Sequence, residues 1–380
     1  MFDWNGKGLS IGDLHVKSPI VQGGMGVGIS GHRLAAAVAN AGGIGVISAV
    51  GLGYMGKKLE DEQLKEQAER TGEIKNITMF RQEIRKARAL SKGCEGAIGV
   101  NIMVAITEFI DAAKAAVEEG VDVIFAGAGL PLNLPSVLTE GCKTKLVPIV
   151  SSAKAAKLIA RRWMTTYHYA PDGFVLEGPK AGGHLGFSKE QIEDPEFQLE
   201  TLVGPVVEEA KRIGEAAGKV IPVIAGGGVF TGEDIVKMMG LGASGVQMAT
   251  RFVATEECDA DIAFKEAYVN CKQEDIGIIE SPVGMPGRAL INNFLKEAKA
   301  GLRHPKMCPR HCIITCKETE SPYCISSALI NACFGNLNSG FAFIGANGYR
   351  VDKIVKVQEL FDELAEGFQR AQGMNPAAPL

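Results

Sequence analysis

Eight short apolar runs rich in β-branched residues recur along the first two thirds of the chain, at 18–23, 43–49, 97–104, 121–127, 145–151, 173–177, 220–225 and 243–250. Each has the length of a strand and is apolar at successive positions, so both of its faces require cover. Helical patterns at 31–41, 78–91, 108–119, 153–162, 202–217 and 232–241 lie between or after them. This alternation predicts an α/β fold, and eight units of the kind predict a closed parallel (β/α)8 barrel of the TIM type. An open doubly wound sheet is the alternative, because periodicity does not distinguish a closed sheet from an open one. A charged, polar stretch at 51–75 reads as an insertion ahead of the helix at 78–91. The expected organisation is a barrel over 1–255 and a smaller, mainly helical region over 256–380. The final helix, 356–370, carries Val357, Leu360, Phe361, Leu364 and Phe368 at helical spacing, as expected of a helix laid on the barrel.

Charge excludes one class of partner. With 40 basic and 44 acidic residues the net charge is −4, which offers nothing to a polyanion, and no nucleic acid is expected. No apolar run is long enough to cross a bilayer, and Met1-Phe2-Asp3-Trp4-Asn5-Gly6 has neither the basic nor the apolar region of a signal peptide. A cytoplasmic protein without a membrane partner is the expectation.

The 47 glycines, against 6 tyrosines and 2 tryptophans, gather where the apolar runs end. In a TIM-type barrel those ends face the functional mouth. After the sixth run the chain reads Leu176-Glu177-Gly178-Pro179-Lys180-Ala181-Gly182-Gly183-His184-Leu185-Gly186. Small residues there let backbone approach a flat ligand while an imidazole, which titrates near neutrality, faces it. The plainer reading is a histidine that caps a turn. After the seventh run come Gly226, Gly227 and Gly228 and the start of a helix, and after the eighth Gln247-Met248-Ala249-Thr250-Arg251-Phe252. Unpaired amides of such a turn and helix start, with the Thr250 hydroxyl, suit a phosphate without any lysine, at the loops where this architecture usually binds one. A sharp turn without a ligand is the other reading.

The chain resembles the FMN-dependent nitronate monooxygenases (2-nitropropane dioxygenases) and their relative enoyl-acyl-carrier-protein reductase II. The resemblance rests on Pro19-Ile20-Val21-Gln22-Gly23-Gly24-Met25, Gly99-Val100-Asn101-Ile102-Met103, Gly127-Ala128-Gly129, Glu177 through Gly186, Ile221 through Gly228 and Gln247 through Phe252, which follow the family's order across about residues 15 to 295. It implies a barrel with FMN at its mouth, covered by the smaller region. Carried over by position, Gly23, Gly24 and Met25 would lie along the flavin ring, Asn101 would bond its polar edge, and Glu177 would be an acidic cofactor contact. Gly182 and Gly183 would admit the ring. Gly226, Gly227, Gly228, Ala249 and Thr250 would surround the phosphate, with Gln247 and Met248 nearby. His184 matches the family's active-site histidine. Ser151 stands where the family's oxidase branch has a lysine, and the doubled glycine before His184 is more like the reductase branch.

The resemblance implies NAD(P)H as a transient reductant and a small-molecule or acyl-thioester substrate. The expected reaction is reduction of an activated double bond, with His184 as imidazolium polarising the thioester carbonyl. Oxidation of alkyl nitronates by dioxygen is the alternative, in which a neutral His184 would abstract the acidic α-proton of a nitroalkane, and a flavin electron-transfer or sensor protein that docks a redox partner is a third. Oligomeric state leaves no readable trace in the sequence, and a homodimer is one assembly compatible with it.

One cysteine-rich segment departs from this pattern. Cys308, Cys312, Cys316 and Cys324 follow the spacing C-x3-C-x3-C-x7-C, with His311 among them and Cys333 beyond. On an unbroken helix Cys308 and Cys316 would stand about 12 Å apart, too far for one small ion, so the segment must fold as a loop to enclose a metal. The spacing matches neither ferredoxins nor zinc ribbons. An iron–sulfur cluster, zinc, reduced buried thiols and a redox disulfide all remain open readings. Arg288 is expected to pair with a carboxylate, and the segment 340–345 to pack without binding a cofactor.

Overall fold

A computed structural model describes residues 4–56, 58–305, 308 and 311–373. The first three residues, on which part of the leader expectation rests, lie outside the described residues, as does the tail from 374.

The strands are β1 (Leu9–Ile11), β2 (Leu14–Val16), β3 (Ile20–Gln22), β4 (Ile44–Ser48), β5 (Ala97–Met103), β6 (Val123–Gly127), β7 (Lys145–Val150), β8 (Phe174–Glu177), β9 (Gly183–His184), β10 (Val223–Gly226), β11 (Gly245–Met248), β12 (Ile276–Glu280) and β13 (Pro286–Leu290). β3 to β8, β10 and β11 close a parallel barrel in which β8 pairs with β10 and β11 with β3. All eight apolar runs therefore enter the barrel, and the open sheet is excluded. The helices are α1 (His32–Asn40), α2 (Glu62–Thr71), α3 (Lys75–Leu90), α4 (Phe109–Glu118), α5 (Ala153–Tyr167), α6 (Lys189–Glu193), α7 (Leu199–Ala217), α8 (Gly232–Gly240), α9 (Thr250–Val253), α10 (Ile262–Val269), α11 (Asn293–Lys299), α12 (Ile325–Cys333) and α13 (Val357–Ala371).

Strand alternation sorts the core into an inner and an outer layer. On β6, Val123 and Phe125 point into the barrel with Val21, Val46 and Val147, while Ile124 and Ala126 face the surrounding helices. The β1–β2 hairpin adds Leu9, Ile11 and Val16 to the inner cluster. Glycine sets how closely helices can lie: a Cβ on Gly45 would come 1.8 Å from the Ala35 carbonyl oxygen, so α1, rich in alanine, packs directly on β4.

The polar insertion at 51–75 is more ordered than its composition suggests. It contains α2, whose N-cap Asp61 accepts the Leu64 amide and which ends at Gly72 in the left-handed region. α13 buries the five apolar residues read from its spacing. It lies on α8, where the missing Cβ of Gly232 leaves room for the Leu364 carbonyl and the Phe368 amide. Among the described residues, no helix is long and apolar enough to cross a membrane.

The region over the barrel mouth includes α10, α11 and α12. It also carries an antiparallel sheet in which β13 pairs with both β12 and β9, a non-local feature that helical periodicity could not reveal.

Candidate active site

Chain folding gathers the glycine-rich strand ends around two adjoining cavities at the C-terminal mouth of the barrel. The larger, about 200 Å³, is lined by Gly23, Gly24, Met25, Asn101, Glu177, Gly182, Gly183, His184, Gln247, Ala249 and Thr250. The smaller, about 60 Å³, shares Glu177, Gly182, Gln247, Ala249 and Thr250 with it and adds Gly227 and Gly228. Two residues of the expected set line neither cavity. Gly226 closes β10, and the Met248 side chain is buried in the core because alternation along β11 turns it away from the mouth.

His184 sits on β9, opposite Gly287 of β13. Its Nε2 is 2.7 Å from Ser281 Oγ, and its ring meets Phe343 edge to face at 5.0 Å. Ser281 Oγ also accepts the Val283 amide at 3.3 Å. Oγ can offer its proton to Nε2 or accept one from it, so the contact holds the ring in place for either tautomer. Burial lowers the His184 pKa to about 4, so the ring is neutral at pH 7. Of the two states read from sequence, neutral imidazole and imidazolium, burial favours the neutral one, because desolvation penalises the charge.

Burial also raises the Glu177 pKa to about 7. The side chains of Glu177, Asn101 and Gln247 find no hydrogen-bond partner among the described residues, and all three open onto the larger cavity. Gly24 makes room for Asn101, since a Cβ there would stand 2.3 Å from that of Asn101. Gly183 has φ +84°, with open space where a side chain would be.

The smaller cavity departs from expectation in two ways. At the start of α8, the Asp234 carboxylate accepts the Phe230 and Thr231 amides just before the helix, while Thr231 Oγ accepts that of Asp234, so these three are not offered to a ligand. The amides of Gly227, Gly228 and Ala249 find no acceptor among the described residues. A lysine is also present: Lys180 lines this cavity, its aliphatic stem packed beside Gly228.

Arg288 is corrected as well. It pairs with no carboxylate here but donates through its guanidinium to the carbonyls of Pro179, at 2.7 Å, and Ala181, at 3.2 Å, tying β13 to the loop that leads to His184. Ser281, Phe343 and Lys180 were missed as site residues. Lys180 lies inside the quoted glycine motif and was legible in principle, whereas Ser281 and Phe343 arrive from the cover and have no local signature.

Cys308, Cys312, Cys316 and Cys324 line a separate cavity of about 370 Å³. All nine cysteines are free thiols, so the redox-disulfide reading finds no pair in this state. A single zinc ion is not accommodated: among the described residues no three of His, Cys, Asp and Glu are placed to share one ion. Cys312 Sγ instead meets Ser326 Oγ at 2.9 Å, and Cys316 Sγ meets Ser321 Oγ at 3.4 Å. Cys333 is buried elsewhere, beside Gly28.

The family model for nitronate monooxygenase matches residues 9–367. The chain belongs to this family. It is 28% identical over 296 residues to a probable nitronate monooxygenase of Staphylococcus saprophyticus, covering 75% of this chain and 78% of that one. It is also 27% identical over 288 residues to a (3aS,4S,5R,7aS)-5-hydroxy-7a-methyl-1-oxo-octahydro-1H-indene-4-carboxyl-CoA dehydrogenase of Mycobacterium tuberculosis, covering 76% and 67%. Among solved structures, FabK from Thermotoga maritima superposes with a TM-score of 0.70 at 26% identity, covering 94% of both chains. Nitroalkane oxidase from Streptomyces ansochromogenes, at 21% identity and a TM-score of 0.67 over 94% and 97%, shares the fold.

Nitronate monooxygenase family members are flavin-dependent oxidoreductases. The two cavities fit a flavin on their own chemistry: a broad lobe with unpartnered polar side chains adjoins a small lobe with unpartnered amides and a lysine.

Proposed function

We propose that this protein binds FMN and uses NAD(P)H to reduce an activated carbon–carbon double bond conjugated to a thioester. One observation carries the reading: His184 lines the central cavity as a buried, neutral imidazole held by Ser281. Its N–H is suited to donate to an oxygen that gains negative charge, and the lowered pKa makes the ring a weak base for abstracting a proton.

Reduction of an enoyl thioester adds a hydride at the β-carbon and a proton at the α-carbon. FMN, when bound, supplies the hydride, having been reduced by NAD(P)H. Asn101, Gln247 and protonated Glu177 would hold the ring and ribityl chain, and the Gly227, Gly228 and Ala249 amides with Lys180 the phosphate. Charge developing on the thioester oxygen is met by the His184 N–H, and the α-carbon takes its proton from solvent. Phe343 packs against the imidazole and the strand pair β9–β13 carries it, and burial of the ring strengthens a hydrogen bond that it donates.

FabK, an enoyl-acyl-carrier-protein reductase, and the carboxyl-CoA dehydrogenase among the relatives support a thioester substrate. Oxidation of alkyl nitronates by dioxygen is the second reading, favoured by the names of the staphylococcal relatives; a nitronate is already deprotonated and needs no base. The test is an anaerobic absorbance titration with NADH and NADPH, followed by crotonyl thioester or propyl nitronate. Flavin bands that bleach with nicotinamide and return with the thioester are expected. Bands that ignore nicotinamide and bleach with nitronate overturn the reductase in favour of the second reading.

A further inference from the structure

Residues 300–324, between α11 and α12, contain no helix or strand among those described. A structureless connection of this length is uncommon inside a compact domain, and such loops usually bind something. This one is tied to the barrel through the loop after β5: the Thr107 amide donates to the Cys312 carbonyl at 3.2 Å, and the Ile314 amide to that of Ala105 at 2.9 Å. Around that anchor Cys308, Cys312, Cys316 and Cys324 converge on one cavity, together with His311 and Glu318.

We infer that these four cysteines hold an iron–sulfur cluster. Four thiolates are the ligand set of such clusters. The cavity accounts for the choice over a single ion, because a cluster separates its iron atoms and so needs its ligands spread around a volume. That is the arrangement here: thiols that share a 370 Å³ cavity but cannot share one metal. Ile313, Ser321 and Tyr323 are buried and anchor parts of the loop, whereas Leu302 and Ile314 are exposed.

The cluster cavity adjoins the central one along two elements. Ile325 and Ser326 of α12 line the cysteine cavity and Leu329 the central cavity, about one helical turn further on. Met103, at the end of β5, lines the central cavity and Thr107 the cysteine cavity. The site is thus built against the wall of the active site and not at a remote surface. The inference stands independently of which substrate the barrel reduces.

The experiment is iron and acid-labile sulfide analysis of full-length protein purified anaerobically from iron-replete cells, with electron paramagnetic resonance after dithionite reduction. Expected are equal amounts of iron and sulfide per chain, a reduced-cluster signal, and loss of both in Cys312→Ser and Cys316→Ser. Cys142→Ser, which lies away from this cavity, should keep them. Flavin content and circular dichroism report whether each variant folds. If the variants do not fold, alkylation of native wild-type protein decides: these four cysteines should resist labelling and become reactive after iron is chelated. Protein that has no iron and sulfide as purified, and takes up none on incubation with ferrous iron and sulfide, overturns the inference. So does iron retained in full by the folded Cys312→Ser and Cys316→Ser variants, or four cysteines that label freely in the native state.

Discussion

Ser281, on the cover, holds His184 of the barrel-mouth loop through a 2.7 Å contact between Oγ and Nε2. The two residues are 97 positions apart, and their contact fixes the orientation of the imidazole. His184→Ala should lower kcat by about 10²- to 10⁴-fold with flavin content unchanged. Ser281→Ala frees the ring to turn or change tautomer and should cost about tenfold in kcat/KM, the equivalent of one hydrogen bond. Ser281→Thr should restore most of it. Steady-state kinetics on the three variants separates a positioning role from a structural one, since Ser281→Ala that leaves kcat/KM untouched removes the serine from the mechanism.

Glu177 and His184 make opposite contributions to the pH dependence of stability. Glu177 is raised from 4.5 to about 7, so between those values the unfolded chain loses its proton while the folded one keeps it, and stability falls as pH rises. His184 is lowered from 6.5 to about 4, so stability falls as pH drops through that window. Glu177→Gln should therefore stabilise flavin-free protein above pH 7, by on the order of 2 kcal/mol, and change little at pH 4.5. Urea midpoints of both proteins across pH 4 to 9 test this; a difference independent of pH contradicts it.

A methyl group on Gly24 would displace Asn101, which stands 2.3 Å from the added Cβ. Gly24→Ala should weaken flavin binding at least tenfold while the barrel stays folded. Flavin fluorescence during titration of the stripped protein measures the affinity, and wild-type affinity in the variant would place Asn101 outside the cofactor site.

The two carbonyls of Pro179 and Ala181 are spanned by the fork of Arg288, which a lysine cannot reproduce. Arg288→Lys should destabilise the protein by about 1–3 kcal/mol, as expected for hydrogen bonds to a charged donor, and loosen the loop before His184. Hydrogen exchange across residues 178–186 should accelerate in the variant; unchanged protection would show that β9–β13 pairing alone orders the loop.

The barrel was legible because its signals are local. A strand buried on both faces, such as β6, must be apolar throughout, and a loop that lets backbone come close must be rich in glycine, so Val123–Gly127 and the glycine pair before His184 mark their own places. The membership of Glu177, Asn101 and Gln247 in one cavity follows from their positions at strand ends. Local reading failed where neighbours compete. Asp234 takes the Phe230 and Thr231 amides beside the glycine turn, and the strand alternation that places Gln247 at the mouth turns Met248 into the core.

By itself the sequence determined the eight strand-and-helix units, the family and the candidate histidine, since each rests on periodicity or on motifs contiguous along the chain, while closure of the sheet was left to the tertiary structure. Only the tertiary structure decided the protonation of that histidine, because its charge depends on burial by residues such as Phe343 that arrive from distant segments. It likewise decided that four cysteines spaced for no known metal motif surround one cavity, because the route of a loop without regular structure is set by the barrel against which it folds.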